Sequence, residues 1–269
     1  MFARALIILS AVLAVSCAVS PTGREQFMMM PESQMAAMGA ESFDEMKKKT
    51  PQDKDPEVNA YVHCVADAIT ALPAVRKESP SWEVVVFDDK QVNAFALPGG
   101  KIGVYRGLLS VAETPGQLAA VIGHEVGHVL AHHGNERVSQ QFAVGEALAL
   151  IESWMAVKNT GSRRTAMAVL GLGAQVGILL PYSRIHESEA DRIGQDLMAR
   201  AGFDPRESVA LWQNMAKAGG GQPPEFLSTH PSHGTRIKDL RAGLAKEVPV
   251  YEQARDAGHR PQCRAPAGL

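Results

Sequence analysis

Apolar side chains recur at helical spacing in the segment that follows Asp55-Pro56-Glu57, a sequence typical of a helix start. The segment predicts a helix that ends before Pro73. Its buried face would be formed by Val58, Tyr61, Val62, Val65, Ala68, Ile69 and Leu72. Upstream, Glu32 to Lys49 predicts a second helix, which we interpret as a docking helix.

Short runs rich in β-branched residues follow, and each is bounded by turn-forming residues. The turn Pro98-Gly99-Gly100 lies between the last two runs and predicts a hairpin. The pattern therefore predicts a small three-stranded sheet made of Trp82 to Phe87, Val92 to Leu97 and Lys101 to Tyr105.

Beyond Gly107 the apolar pattern becomes helical and stays so, which predicts an α+β fold that is mostly helical. The predicted helices are Gln117 to Gly134, Phe142 to Val157, Thr165 to Leu180, Ser183 to Ala201 and Pro205 to Ala218. The uncharged stretch Thr165 to Ser183 favours a packed helix, with a membrane-touching hairpin as the alternative. Gly219 to Pro224 predicts a mobile loop.

The composition is that of an ordinary globular protein, with 45% hydrophobic and 21% charged residues in a chain of 269. This length can bury a core without a structural metal, so a metal site here would serve chemistry. A net charge of -2 and the lack of a basic stripe argue against a nucleic-acid partner. We expect one catalytic domain over residues 55–245 and a polar C-terminal tail over 246–269.

The first 16 residues have the pattern of an export signal, an apolar run followed by small residues. Cys17 directly after them resembles the lipobox of bacterial lipoproteins, and Ala18 then suggests the outer membrane. Plain secretion is the alternative. Residues 17–54 would form a lipidated tether with the docking helix. Cys64 and Cys263 could pair as a disulfide in an oxidising compartment, although spacing alone does not show proximity.

The run His124-Glu125-Val126-Gly127-His128 places two histidines one helical turn apart, on one face, where they can share a zinc ion. Glu125 would stand beside the open coordination position. Ala131 and Gly134 occupy the positions that an extended motif with a third histidine would need.

A glutamate on a later helix is the other source of a third ligand, with an aspartate four residues on to orient a ligand histidine. Two such pairs follow the motif, Glu187 with Asp191 and Glu252 with Asp256; the first lies in a better helical pattern. Glu146 lacks the aspartate. His132 and His133 are interpreted as neighbours of the ligands or as a solvated helix end.

The pattern H-E-x-G-H followed by S-R-x-x-E-x-E-A-D-R resembles the CAAX prenyl endopeptidase and HtpX type of gluzincin zinc metallopeptidase. Asn93 to Gly100 is similar to the strand and hairpin before the active helix of that family. Ser228 to Pro231 with Arg236 resembles its downstream His-Pro element. With the export signal, the likeness points to the LoiP- and BepA-like periplasmic lipoprotein branch, anchored to the outer membrane.

The resemblance implies a zinc endopeptidase with one Zn²⁺ per chain, held by His124, His128 and Glu187, with Asp191 as the orienting carboxylate. Glu125 would act as general base toward the water that zinc activates. His230 would occupy the water position or stabilise the oxyanion, or it is an ordinary turn histidine.

Extended substrate would lie beside the strand Asn93, Ala94, Phe95 and Ala96, and Arg236 would brace the loop or the oxyanion. The substrates would be unfolded or misassembled envelope proteins. A chaperone or assembly factor that uses the same groove with little proteolysis is the alternative, and an envelope assembly partner would fit either role.

Overall fold

The computed structural model describes residues 17–157, 170, 180–218, 226, 230 and 235–267. Its N-terminal segment forms a hairpin and a helix that pack on the domain. Strand β1 (Cys17–Val19) pairs antiparallel with β2 (Glu25–Phe27), and helix α1 (Glu32–Lys49) follows. The predicted helix therefore has the expected bounds. Gln26 and Phe43 of this segment are buried against the domain, where they contact Ala131 and Phe87.

Helix α2 (Pro56–Thr70) begins where the sequence predicts, since the Asp55 side chain accepts hydrogen bonds from the backbone N–H groups of Glu57 and Val58. A short helix α3 (Pro73–Glu78) was not expected. Pro73 ends α2 but occupies the first turn of α3, where its missing N–H costs nothing.

The predicted sheet is present as β3 (Glu83–Phe87), β4 (Ala94–Leu97) and β5 (Lys101–Tyr105), in the order β3-β5-β4. Strand β5 runs parallel to β3 and antiparallel to β4, with Ala96 opposite Ile102. The hairpin turn prediction is confirmed. Strand β4 lies at the end of this order and faces the helical layer.

The helical layer follows a 3-10 turn (Arg106–Ser110) and is arranged around a central helix, α4 (Pro115–Leu130), which is buried over most of its length. The other helices are α5 (His133–Val157), α6 (Leu180–Arg200), α7 (Arg206–Ala218) and α8 (Arg236–Asp256). The prediction of a mostly helical α+β fold is confirmed. One core unites α2, the inner face of the sheet, α4, α6 and α7.

Helix α4 ends earlier than predicted, because the chain breaks at Ala131 and His132 instead of continuing to Gly134. His132 adopts a left-handed backbone conformation with φ of 49°. The break redirects the chain, so that His133 starts α5 as a buried residue.

The close contact of α4 with α6 depends on two facing glycines. A Cβ atom on Gly194 would lie 2.6 Å from the backbone nitrogen of His124, and one on Gly123 would lie 2.8 Å from the carbonyl oxygen of Gly194. Only glycine permits this approach. It brings the part of α6 that carries Glu187 and Asp191 against the end of α4 that carries the histidines.

The expected polar tail over 246–269 is wrong in its first half, because α8 continues through residue 256 with Glu247 and Ala254 buried. The final segment is tied down as well, since Cys64 and Cys263 form a disulfide with their Cα atoms 5.6 Å apart.

Within the described ranges, no helix combines the length and apolar character needed to cross a membrane. The expected signal segment, most of Thr165 to Ser183 and the Gly219 to Pro224 loop lie outside the described residues.

Candidate metal centre

Helix α4 presents His124 and His128 on one face, as their spacing predicts. Their Nε2 atoms lie 3.1 Å apart, with side chains 5% and 11% exposed. The two imidazoles therefore point their Nε2 atoms into one small volume at the end of the buried helix.

Helix α6 adds a carboxylate to this volume. Glu187 is fully buried, with Oε2 3.3 Å from His124 Nε2 and Oε1 3.4 Å from His128 Nε2. His230 contributes a fourth donor, since its Nδ1 lies 3.3 Å from His124 Nε2 and 3.1 Å from Glu187 Oε2. The backbone N–H of His230 donates to the carbonyl of Phe226, and the His230 ring stacks on the Phe226 ring with centroids 4.6 Å apart.

These separations fit a zinc ion. Tetrahedral bonds of about 2.0–2.1 Å place ligand atoms about 3.3–3.4 Å from one another. The measured donor separations are 3.1 to 3.4 Å, and the four donor atoms all lie within 4.8 Å of each other. The cluster is thus able to hold one metal ion, as predicted. His230 occupies the fourth coordination position, which a water molecule takes in a catalytic zinc site.

The protonation states of this cluster follow from its burial and charges. Burial favours the neutral form of Glu187, but hydrogen bonds from His124 and His230 outweigh it and hold its pKa well below the ordinary range. Burial and the neighbouring His124 push the pKa of His128 well below normal. Burial acts likewise on His124, yet Asp191 and Glu187 raise its pKa to about 9. Zinc binding therefore displaces a proton there.

Glu125 lies beside the donors rather than among them. Burial raises the pKa of its carboxyl group, while the charges of His230 and His124 oppose the rise. Its Oε1 has no hydrogen-bond partner among the described residues, and His230 Nε2 lies 3.4 Å away. A buried carboxylate oxygen without a donor, facing the metal volume, suits a group that accepts a proton from water.

Asp191 and Arg236 lie behind His124. Asp191 Oδ1 is 3.0 Å from His124 Nδ1, which orients Nε2 of that ring toward the donors. Arg236 donates from Nη2 to Asp191 at 2.6 Å and from Nη1 to Glu187 at 3.3 Å. Its guanidinium also stacks on Trp212, 3.4 Å from the ring centroid.

The Arg236 side chain is buried behind the ligands and does not line the cleft described below. Two carboxylates and an aromatic face hold it there. Its Nη1 lies 3.5 Å from the carbonyl oxygen of His230, which agrees with a bracing role for the loop.

A cleft of about 420 Å³ opens beside the metal volume, between the β4 hairpin, α1 and α4. Of the four strand residues expected to bind substrate, only Ala96 lines it. Ala94 is buried, and the Phe95 ring packs on the opposite side with Phe43 and Phe87. Asn93 uses its side-chain oxygen to accept from the Ala94 backbone N–H.

His133 is the neighbour of a ligand that the sequence suggested, whereas the groups around it were not foreseen. Its Nδ1 lies 2.8 Å from His128 Nδ1, and its Nε2 lies 3.2 Å from Glu189 Oε2. Burial lowers the pKa of His133 to about 4, so the ring is neutral at physiological pH. Glu189 could have been suspected from the E-x-E-A-D-R run, but Arg24, which pairs with it, lies in a segment without any signal.

His132 and the rejected ligand candidates lie elsewhere. His132 is 24% exposed, near Glu78 and Glu32 at 3.8 and 4.0 Å. Glu146 and Glu252 are exposed on α5 and α8. None of these side chains joins the donor cluster.

Comparison with known proteins gives one family and a set of curated relatives. A family model described as Peptidase family M48 matches residues 54–243. Metalloendopeptidase OMA1, mitochondrial, of Bos taurus is 34% identical over 242 residues, which cover 86% of this chain and 45% of the bovine protein. Mitochondrial metalloendopeptidase OMA1 of Schizosaccharomyces pombe is 37% identical over 208 residues, covering 74% of this chain and 56% of the yeast protein.

A bacterial relative is also similar. The beta-barrel assembly-enhancing protease of Yersinia pestis is 31% identical over 218 residues, covering 77% of this chain and 43% of that protein. The chain thus spans about half the length of these relatives. The lipoprotein branch and the nearer resemblance to the CAAX and HtpX type stay predictions.

The matched region contains both ligand helices, the catalytic glutamate candidate and the hairpin beside the cleft. The prediction of a zinc metallopeptidase domain is confirmed at the level of the family. With its donor set in tetrahedral spacing and the family model covering most of its length, this chain belongs to Peptidase family M48.

Proposed function

We propose that the chain is a zinc-dependent endopeptidase that cleaves unfolded or misassembled proteins of the cell envelope. The observation that carries the proposal is the convergence of His124, His128 and Glu187 at zinc-ligand spacing, with the buried Glu125 directly beside them. When bound, zinc supplies a Lewis acid that polarises a peptide carbonyl and lowers the pKa of water.

Glu125 supplies the proton transfers. Its raised pKa makes it a better proton acceptor than an exposed glutamate, and its Oε1 accepts no hydrogen bond from any residue that the structure describes. Asp191 keeps His124 oriented, and Arg236 pairs with the two buried carboxylates of Asp191 and Glu187. Asp191 and Arg236 each contact more than one helix, so they position the ligands His124 and Glu187 before a substrate arrives.

The cleft favours an extended chain with apolar side chains. Its walls carry Met35, Ala36, Leu97 and Val129, and it runs past Ala96 to the catalytic end of α4. An extended peptide beside β4 would bind through main-chain hydrogen bonds, which makes side-chain selection loose. Unfolded proteins offer such segments, whereas folded proteins bury them.

His230 holds the site closed in our proposal. Its Nδ1 completes the four donors, and its Nε2 faces Glu125, so one ring covers both the water corner and the base. Water reaches this corner only when His230 moves away. Phe226 would then lose its stacking partner.

We place the protein at the periplasmic face of the outer membrane, anchored through a lipid on Cys17. The export-signal pattern supports this location, and the name of the Yersinia pestis relative, a beta-barrel assembly-enhancing protease, supports envelope substrates. The strand that begins at Cys17 leads directly into residues bound to the domain, because Arg24 pairs with buried Glu136 and Glu189. An anchor there would keep the cleft close to the membrane.

Replacing the base tests the activity. Glu125→Gln should retain one zinc per chain and lose about 10²- to 10⁴-fold in the cleavage rate of an unfolded protein such as reduced casein. Glu113→Gln, a matched change at an exposed position just before α4, should leave both unchanged.

Three measurements decide the outcome. Metal analysis of the wild type should give one zinc per chain, and a chain that cannot be loaded with zinc contradicts the proposal. Cleavage that is unaffected by Glu125→Gln contradicts the assigned base. Binding of the unfolded protein by wild type and Glu125→Gln, without cleavage by either, would favour a chaperone role for the same cleft.

A further inference from the structure

The two ligand histidines on α4 differ in the hydrogen-bond partner of Nδ1, the ring nitrogen that faces away from the metal volume. His124 Nδ1 faces the carboxylate of Asp191 directly, at 3.0 Å. His128 Nδ1 instead faces another imidazole, His133 Nδ1, at 2.8 Å. A ligand histidine needs a partner for its second nitrogen, because that partner determines which nitrogen keeps its lone pair for the metal.

The geometry gives the direction of each hydrogen bond. Two ring nitrogens 2.8 Å apart share one proton, so one of them donates and the other accepts. The Nε2 of His133 faces Glu189, an acceptor, at 3.2 Å, so the proton of His133 is on Nε2 and its Nδ1 is an acceptor. His128 therefore donates its Nδ1–H to His133. Its Nε2 is then left with the lone pair, and this atom faces His124 and Glu187.

The carboxylate at the end of this relay is held by the N-terminal hairpin. Glu189 is fully buried and accepts from the hydroxyl groups of Ser20 and Thr22 and from Arg24 Nε at 2.8 Å. Among the described residues, His133 is its only donor from the helical layer. A buried carboxylate is stable only when it is paired and hydrogen-bonded, so the hairpin keeps Glu189 ionised and in place.

Arg24 also has a second function in the cluster. Its two terminal nitrogens form a bidentate pair with Glu136 at 2.8 and 2.7 Å. Glu136 in turn lies 3.0 Å from His186 Nε2, and the His186 ring stacks on His133 with centroids 4.2 Å apart. One guanidinium thus fixes the carboxylate that holds His133 and the ring that covers it.

We propose that His133 is the positioning residue for the zinc ligand His128, and that Arg24 of the N-terminal hairpin completes the relay through Glu189. The proposal rests on the proposed function, since it assumes that His128 binds zinc. It assigns a part in the metal site to residues 17–27, which lie outside the region 54–243 that the family model matches.

The test measures zinc affinity by competition with a chromogenic chelator, using the full-length protein. His133→Phe keeps a ring but removes the acceptor, and we expect zinc to bind about 10- to 100-fold more weakly. His133→Gln should restore most of the affinity, because its amide oxygen can accept from His128 while its amide nitrogen donates to Glu189. Arg24→Gln should weaken binding in the same direction.

Glu25→Gln is the matched control for the hairpin, because Glu25 is the exposed next residue on β2 and should leave zinc affinity unchanged. Urea unfolding in EDTA shows which variants fold. Should His133→Phe not fold, the comparison of Arg24→Gln with Glu25→Gln decides alone.

Two results would overturn the proposal. One is a folded His133→Phe or Arg24→Gln protein that binds zinc within twofold of the wild type. The other is a loss in His133→Gln as large as in His133→Phe, which would mean that ring packing and not the hydrogen bond matters. A wild-type chain that binds no zinc would instead contradict the proposed function.

Discussion

The glycine contact between α4 and α6 provides the sharpest test of how the fold sets the metal site. In Gly194→Ala the new Cβ would lie 2.6 Å from the His124 backbone nitrogen and 2.8 Å from the Gly123 carbonyl carbon. Both atoms belong to the backbone of α4, so no side chain can rotate away. Ordinary contact begins at 3.4 Å, and the helices must therefore separate by about 0.8 Å.

This separation acts on the donors directly, because His124 lies on α4 and Glu187 on α6. Their present distance of 3.3 Å would lengthen to about 4 Å, beyond the edge of about 3.4 Å that a tetrahedral zinc site requires. We expect a 10- to 100-fold loss of zinc affinity, a loss of about 10² in the cleavage rate, and about 1–3 kcal/mol lower stability.

The matched control is Gly145→Ala on α5, where a Cβ would meet nothing within 4 Å. The same substitution there should preserve zinc affinity and raise stability by up to about 1 kcal/mol, since alanine is the better helix former. Chelator competition measures the affinity, and urea unfolding in EDTA measures the stability. A Gly194→Ala protein with normal zinc affinity and activity would show that the close helix contact does not determine donor spacing.

Two further outcomes are expected. Removing the disulfide with Cys64→Ser and Cys263→Ser opens a loop of 199 residues, and the chain-entropy relation then predicts a free energy of unfolding lower by about 5 kcal/mol, at the top of the usual range of about 2–5 kcal/mol for native disulfides. Urea unfolding measures this change, and a decrease below about 1 kcal/mol would refute the account. His230→Ala should raise the cleavage rate severalfold while the three remaining ligands still hold zinc, whereas a tenfold slower enzyme with zinc bound would show that His230 assists the reaction.

Local patterns were sufficient where the chemistry lies within one element or depends on a fixed spacing. The H-E-x-x-H run brings His124 and His128 together because residues four apart share a helix face. The glutamate with an aspartate four residues later singled out Glu187 for the same reason. The strands and their hairpin turn followed from β-branched runs and the Pro-Gly-Gly turn, which are also local signals.

Contacts between segments that are distant in the sequence could not be predicted from local patterns. The break at His132 depends on a left-handed residue that is not glycine, so local propensity favoured a continuous helix. The family resemblance placed Arg236 at the loop or the oxyanion, but no local pattern showed that two carboxylates and Trp212 would enclose it.

The sequence by itself determined the helix that carries the metal-binding motif, the candidate third ligand and the class of reaction, because each depends on residue type at short spacing. The tertiary structure alone decided that His230 closes the donor set, that Arg24 reaches Glu189 across 165 residues, and that the two cysteines pair. The reason is physical: burial and desolvation depend on what the rest of the chain packs against a group, and no local pattern records that.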